Sequence, residues 1–481
     1  MWRLIRRTLD VTGGVLLAAV VVVPSVTALG GLPALGAALN PGGGVWRPPS
    51  DAGPARPENV SLPGLTAPAT VAFEDNGLAH VTAGDDGDLF RTIGYVHARF
   101  RLSQMDLTRR QAQGELAEIV GPDALESDRF ERDLGLQRAA QRDWAALPDG
   151  PARKTLVAYS RGVNDAIGEL VRDHRLPTLF TVLGYEPRPW TPVDTLAVQR
   201  LVGQKISFDE QAVRFSFAQK ALGQKVFDQW FPVVPGNRQQ PFDKGPFKKL
   251  PLTPLPKRAY PVDGVPADPG LPATPPTTVP AGAVHTMGNS NSWVVSGKRT
   301  ASGAPILSAD PHLPFSLPSI WYQIEGTSPG YHFSGATTPG IPVPLLGKTD
   351  AFSWGLTASQ RPTTLFYEER ADPARLTTVA EPIKVRGAAT ELHQVRLTAH
   401  GPLMRVQTKE YAVWWAGTLP SDNMTSMLTL LRARNLEEFR ASLRGWATPA
   451  LNFSYADKGG NIAMFNVGAA PQVASGNPAL P

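Results

Sequence analysis

The chain has 481 residues, 47 basic and 42 acidic, for a formal net charge of +5, which is enough for one large multilayer domain or two intimately packed ones. It contains no cysteine, which excludes disulfides, thiol nucleophiles and cysteine-held metals and leaves the redox compartment open. The positive charge is spread along the chain instead of gathered in a stripe, so no nucleic-acid partner is expected.

Residues 1–39 open with Arg3, Arg6 and Arg7, carry one acid at Asp10, and are then uncharged. This basic-then-apolar order, with residues 11–23 as the apolar part, reads as a secretory signal peptide or an N-terminal membrane anchor. Val26-Thr27-Ala28 offers a small-residue cleavage site for the first reading; the uncharged run through Leu39 suits the second. Either puts the remainder outside the cytoplasm. Residues 40–68 are rich in glycine and proline and read as a linker.

Folded protein is expected from Ala69. Residues 69–73 and 79–83 read as strands around a turn at Asp75-Asn76-Gly77. Residues 85–120 read as one helix, with Leu89, Ile93, Val96 and Phe100 at three- and four-residue steps and a stop at Gly121-Pro122. Its charged residues, Arg109, Arg110, Glu115 and Glu118 among them, read as solvated faces and ion pairs in preference to a metal or anion site. Further helices are predicted over 128–147, 151–171 and 192–230, the last started by Thr191 or Asp194. Residues 69–231 therefore form a mostly helical unit. From 232 to 289 prolines recur every few residues, which neither a helix nor a central strand tolerates, and the segment reads as an exposed, protease-accessible spacer.

Beyond Trp293 the pattern turns to strands, at 331–337, 351–358, 365–370, 383–386, 394–398 and 411–415, with a helix over 436–446. A closing hairpin, 452–456 with 461–465, turns on Asp457-Lys458-Gly459-Gly460. The stretch from Ser290 to His312 is itself a hairpin pattern, two β-type runs around a polar 298–303 segment. A turn centred near Ala301 pairs residues whose numbers sum to about 602. That sets Ser290 opposite His312, a hydroxyl and an imidazole together at a strand end, as a nucleophile and its support would be.

Several stretches in order resemble the penicillin acylase family of N-terminal nucleophile hydrolases. They are residues 77–83, the Gly94-Tyr95-Val96-His97-Ala98-Arg99 run continuing to Asp106, Gly114-Glu115-Leu116-Ala117-Glu118, Ser290-Asn291-Ser292-Trp293, Asp310-Pro311-His312, Ser353-Trp354-Gly355-Leu356-Thr357 and Asn452-Phe453-Ser454-Tyr455-Ala456-Asp457. The resemblance implies an α+β fold, a four-layer αββα sandwich. It implies a helical α chain and a β chain beginning at Ser290, both cut from one precursor, with 232–289 excised and 290–481 an incomplete β chain.

The implied chemistry is self-processing followed by amide hydrolysis. The Ser290 hydroxyl attacks the Asn289 carbonyl, the amide giving way to an ester, and hydrolysis of that ester leaves Ser290 as a new N-terminus whose α-amine, with an ordinary pKa of about 7.7 to 8.0, can serve as base. One residue then supplies nucleophile and base. By the resemblance His312 orients the amine and contacts substrate, while the Ala358 N–H and the Asn452 amide stabilise the oxyanion. Asn291 reads as structural. Leu313, Leu345, Leu346 and Leu356 fall where the acyl pocket is lined; as a pocket they suit an alkyl acyl group at least as well as a phenylacetyl ring, and as isolated leucines they are ordinary core. The implied substrate is a small acyl amide such as a β-lactam side chain, an acyl-homoserine lactone or a lipopeptide.

Three departures from the family pattern stand out. The calcium-binding segment reads Gln360-Arg361-Pro362-Thr363-Thr364-Leu365, a poor donor set for a hard dication, with Glu210 only weakly resembling the remaining ligand, so no metal or other cofactor is expected. The arginine that would hold the oxyanion asparagine is replaced in Pro471-Gln472-Val473-Ala474, which predicts a less well fixed Asn452. Relatives continue beyond the position of Pro481, so a truncated product or a second polypeptide completing the β chain is expected. The competing reading is a catalytically silent exported family member acting as a binding or incomplete subunit.

Overall fold

The basic-then-apolar N-terminal run forms helix α1 (Trp2–Val26); among the described residues no helix is long and apolar enough to cross a membrane. The structure, a computed structural model, describes residues 2–27, 36, 58–60, 62–231, 290–359, 361–368 and 376–473. The predicted spacer, most of the predicted linker, Asn289, Gln360 and Ala474 lie outside the described residues.

Strands β1 (Glu58–Val60), β2 (Ala69–Phe73) and β3 (Ala79–Ala83) run antiparallel in succession. The β2–β3 turn falls on the predicted residues: Gly77 takes φ 86°, and Asn76 Oδ1 accepts from the Leu78 N–H at 2.9 Å. Helix α2 (Asp86–Gln113) starts at Asp85, whose carboxylate accepts from the Gly87 and Asp88 N–H groups. It stops at Gly114 in the left-handed region, before the predicted stop at Gly121, because a glycine there caps the helix by bonding back to Arg110 and Gln111; a short α3 (Ala117–Val120) follows.

Local punctuation splits the other long helices too. Gly135, at φ 79°, separates α4 (Leu125–Leu134) from α5 (Leu136–Ala146). Helix α6 (Pro151–Arg172) keeps its predicted span to within a residue, and the short α7 (Thr178–Leu183) was not anticipated. The 192–230 stretch is three helices, α8 (Pro192–Ser207), α9 (Gln211–Leu222) and α10 (Gln224–Trp230). Helix α8 opens on a capping box in which Thr191 and Asp194 bond each other's backbone, so both predicted start residues act.

The charged residues of α2 do form ion pairs, but buried ones. Asp106 Oδ1 accepts from Arg109 Nε at 2.9 Å, and its Oδ2 accepts from Arg110 Nε at 3.0 Å and the Tyr185 hydroxyl at 2.7 Å. Burial works to raise the Asp106 pKa, yet Arg109, Tyr185 and Arg110 together hold it below the ordinary value.

The second half supplies β4 (Ser290–Val295), β5 (Ile306–Pro311), β6 (Tyr322–Ser328), β7 (Tyr331–Thr337), β8 (Leu346–Thr349), β9 (Phe352–Ala358), β10 (Thr364–Tyr367), β11 (Thr377–Ile383), β12 (Glu391–Thr398), β13 (Gly401–Val406) and β14 (Lys409–Trp415). Helices α11 (Asn423–Arg432) and α12 (Leu436–Ser442) precede the closing hairpin β15 (Leu451–Asp457) and β16 (Ile462–Val467). The strand expected over 383–386 instead ends at Ile383, and Arg386 donates its backbone N–H to Ala117. A nine-stranded sheet runs β1-β2-β3-β6-β7-β8-β9-β15-β16, in which the parallel β3–β6 pair joins the two halves of the chain. A five-stranded sheet runs β10-β14-β13-β12-β11, and β4 and β5 form a separate two-stranded ribbon.

Strand alternation decides what lies on each face of the large sheet. Phe352, Trp354, Phe453 and Tyr455 share one face, where Phe439 of α12 packs edge-on to Phe352 and against Tyr455. Gly355 and Ser454 turn the other way, onto the ribbon: Ser292 Oγ donates to Ser454 Oγ at 2.8 Å, and a Cβ placed on Gly355 would sit 2.4 Å from that of Ala309. Helices, sheet and ribbon are thus three successive layers of the predicted αββα order, and the fold is α+β. No second helical layer is seen among the described residues.

Candidate active site

The ribbon pairs Ser290 with Pro311 and Asn291 with Asp310, one residue away from the predicted register. Its loop closes through a tight turn over Gly297–Arg299, with Thr300 Oγ1 donating to Ala304 O at 2.8 Å, and this asymmetric connection sets the offset. The predicted Ser290–His312 face-to-face pair is therefore corrected. His312 lies just past the last paired residue of β5, where its Nε2 bonds Asp310 Oδ2 at 2.9 Å and sits 3.4 Å from Asn291 Nδ2. Asn291 thus keeps a positional role, but toward His312.

Ser290 lines a cavity of about 60 Å³ together with Leu313, Leu345, Leu346, Leu356 and Ala358. These six arrive from the ribbon and its exit, the entry to β8, and the end of β9. All four predicted pocket leucines are gathered there. Val202 and Ile206, four apart on α8, complete one wall, and Pro311, Thr357, Ile320, Trp321, Thr338 and Leu451 the remainder. Sequence reading did not single out Val202, Ile206, Ile320, Trp321, Thr338 or Leu451. Val202 and Ile206 share one helix face, which was visible, but nothing local separates a pocket wall from ordinary core.

Ala358 ends its strand with its N–H turned out of the β9–β15 ladder. Ser359 N–H bonds Ala450 O at 3.2 Å across the end of that pair. Antiparallel alternation therefore turns the neighbouring Ala358 away from β15, toward the side of β8 and beyond its end at Leu346. That leaves a backbone donor beside the cavity.

Asn452 does not line the cavity itself. Its Nδ2 donates to Thr357 Oγ1 at 2.9 Å and to Ala358 O at 3.3 Å, so its amide rests against two cavity residues. Its Oδ1 accepts from Asn466 Nδ2 at 2.6 Å, directly across the β15–β16 pair. The Ala358 carbonyl can only accept, which assigns the amide end of Asn452 to that side and its oxygen to Asn466. The expectation of a loosely held Asn452 is therefore revised. Asn466 was missed because a register partner is invisible until the hairpin is paired.

The residues expected at the calcium position do not fit that ion. Buried Glu210 accepts from Arg214 Nε at 2.7 Å, the Thr363 hydroxyl is bonded to Ser207 O, and Thr364 Oγ1 accepts from the Asp209 N–H at 3.4 Å. Glu210 is thus paired with a guanidinium, the neighbouring Asp209 carboxylate accepts from the Gln211 N–H at 3.0 Å, and the threonine hydroxyls are already engaged around the end of α8. Among the described residues no group of three or more histidine, aspartate or glutamate side chains could hold a metal ion.

A helical layer, a large sheet, and a serine-headed ribbon laid on the sheet's far face define the N-terminal nucleophile hydrolase class. The penicillin amidase family model matches residues 68–481, and the chain belongs to that family. It is 30% identical over 430 residues to the penicillin acylase 2 proenzyme of Pseudomonas sp. (strain SE83), covering 84% of this chain and 53% of that one. It is 32% identical over 301 residues to the acyl-homoserine lactone acylase QuiP of Pseudomonas aeruginosa, covering 62% and 34%, and 26% identical over 480 residues to the penicillin G acylase of Escherichia coli, covering 88% and 56%. The chain spans about half the length or less of these curated relatives.

Proposed function

We propose that the protein is an exported, self-processing amidase that cleaves a small acyl amide through an acyl-Ser290 intermediate. The observation that carries the reading is the meeting of Ser290, Ala358 and four leucines around one cavity. Attack by the Ser290 hydroxyl on the Asn289 carbonyl breaks the amide, forming an ester and releasing the α-amine; water cleaves the ester and regenerates the hydroxyl, and the amine then takes the proton from that hydroxyl as it attacks the substrate carbonyl. The Ala358 N–H and the Asn452 amide stabilise the developing oxyanion, Asn452 by exchanging a bond to Thr357 or Ala358 for one to substrate. His312, held by Asp310 and Asn291, flanks the Ser290 terminus.

The lining, aliphatic apart from Trp321, two threonines and Ser290, favours an alkyl acyl group, as in an acyl-homoserine lactone or lipopeptide, over the phenylacetyl side chain of a β-lactam. No metal takes part in this reading. A second reading, a silent binding chain, is favoured by the ribbon: among the described residues it is only two strands wide, with both outer edges unpaired, and a further polypeptide stretch adding strands there would complete it.

Intact mass of the purified chain is the test. The amidase reading expects two fragments with a new N-terminus at Ser290, a cut abolished by Ser290→Ala, and hydrolysis of alkanoyl amides ahead of phenylacetyl amides. A single uncut chain that hydrolyses no acyl amide rejects it in favour of the silent reading.

A further inference from the structure

Thr338, immediately after β7, lines the aliphatic cavity and is 5% exposed. Its Oγ1 is buried and has no hydrogen-bond partner in the structure. The neighbouring Thr337 shows the contrast: its hydroxyl donates to Tyr322 O at 2.7 Å and meets His97 Nε2 at 2.9 Å. The cavity's other threonine, Thr357, is also engaged, by Asn452. A hydroxyl left unpaired in an apolar wall costs stability that a leucine or valine of similar size would not, and the cost is recovered when a bound molecule supplies the missing partner.

We infer that the pocket selects acyl chains bearing an oxygen substituent, a hydroxyl or keto group, which pairs with Thr338 Oγ1. This rests on the acyl-pocket reading proposed above. A threonine hydroxyl both donates and accepts, so it serves a keto oxygen as donor and a hydroxyl as either. The neighbouring walls, Leu345, Leu346 and Ile320, are apolar, so the remaining length of the chain stays hydrocarbon.

The test measures discrimination between matched ligands. Amides of linear alkanoic acids are compared with amides of hydroxy and keto acids of the same length, the oxygen being moved along the chain. The expected result is a preference of roughly 10-fold in kcat/KM for one oxygenated position, falling to near unity in Thr338→Val and retained in Thr338→Ser. Calorimetric binding of the free acids to Ser290→Ala and to Ser290→Ala/Thr338→Val reads the same ratio without turnover. Failure of wild type to hydrolyse any amide, with the binding ratio intact, would overturn the amidase reading alone. Equal affinity for plain and oxygenated acids, as when a resident water satisfies the hydroxyl, overturns the inference. So does binding of neither acid, or a preference that survives Thr338→Val.

Discussion

Asn466 holds Asn452 from directly across the closing hairpin, its Nδ2 donating to Oδ1 at 2.6 Å. The contact orients the side-chain amide without touching the cavity, which makes Asn466 a positioning residue in the proposed mechanism. Asn466→Asp removes the donor and sets a second acceptor against Oδ1. The expected outcome is a fall in kcat of about 3- to 10-fold with KM nearly constant, partly recovered in Asn466→Ser. Active-site-titrated steady-state kinetics check it, because a purely structural role would lower the active fraction and leave kcat per site unchanged.

The ribbon reaches the sheet because Gly355 has no side chain. Any Cβ there would meet Ala309 at 2.4 Å and crowd Ser292 Oγ at 3.2 Å. Gly355→Val is expected to destabilise the protein by about 1–3 kcal/mol. Denaturant unfolding measures the loss, and the processing rate read by mass is expected to drop with it, since Ser290 shares the lifted strand.

Glu131 is a buried acid in α4 whose two oxygens accept from Gln204 Nε2 at 3.2 and 3.3 Å. Burial pushes its pKa up to about 8, against the lowering effects of Gln204 and Lys205. A raised folded-state pKa means the folded protein holds a proton that the unfolded chain releases near pH 4.5. Stability from this group is therefore full below that pH and declines as pH rises toward 8, by up to about 1.4 kcal/mol per pH unit. Glu131→Gln is expected to flatten the slope and to raise the melting temperature most at pH 8, as thermal unfolding across pH 5–8 would record.

With Glu210 tied to Arg214, calcium removal is expected to leave stability unchanged. Melting temperatures with excess chelator and with millimolar calcium should agree within about 1 °C, since an ion that does not bind the folded state cannot stabilise it. Arg214→Ala uncovers the buried carboxylate and is expected to cost about 1–2 kcal/mol. A chelator-dependent drop in wild type would restore calcium to this position.

Much of the fold could be read from short stretches, because turns and caps are decided by neighbouring residues. Asp75-Asn76-Gly77 bends the chain by its own hydrogen bond and a positive φ, and Asp85 and Thr191 cap the helices that follow them. The order of the matched stretches, Ser290 and Asn452 among them, was equally plain in the sequence. Helix ends were misplaced where Gly114 and Gly135 competed with an apolar pattern that continued past them.

The sequence by itself determined the local elements, the family and the serine on which the chemistry is proposed to turn. Tertiary structure decided the rest. The one-residue offset that separates His312 from Ser290, the wall that α8 contributes to a cavity formed with β8 and β9, the grip of Asn466 on Asn452, and the unpaired hydroxyl of Thr338 all depend on elements distant in the chain. Each is a matter of register or packing between such elements, and those are fixed by shape and burial across the whole core, which no local run of residues encodes.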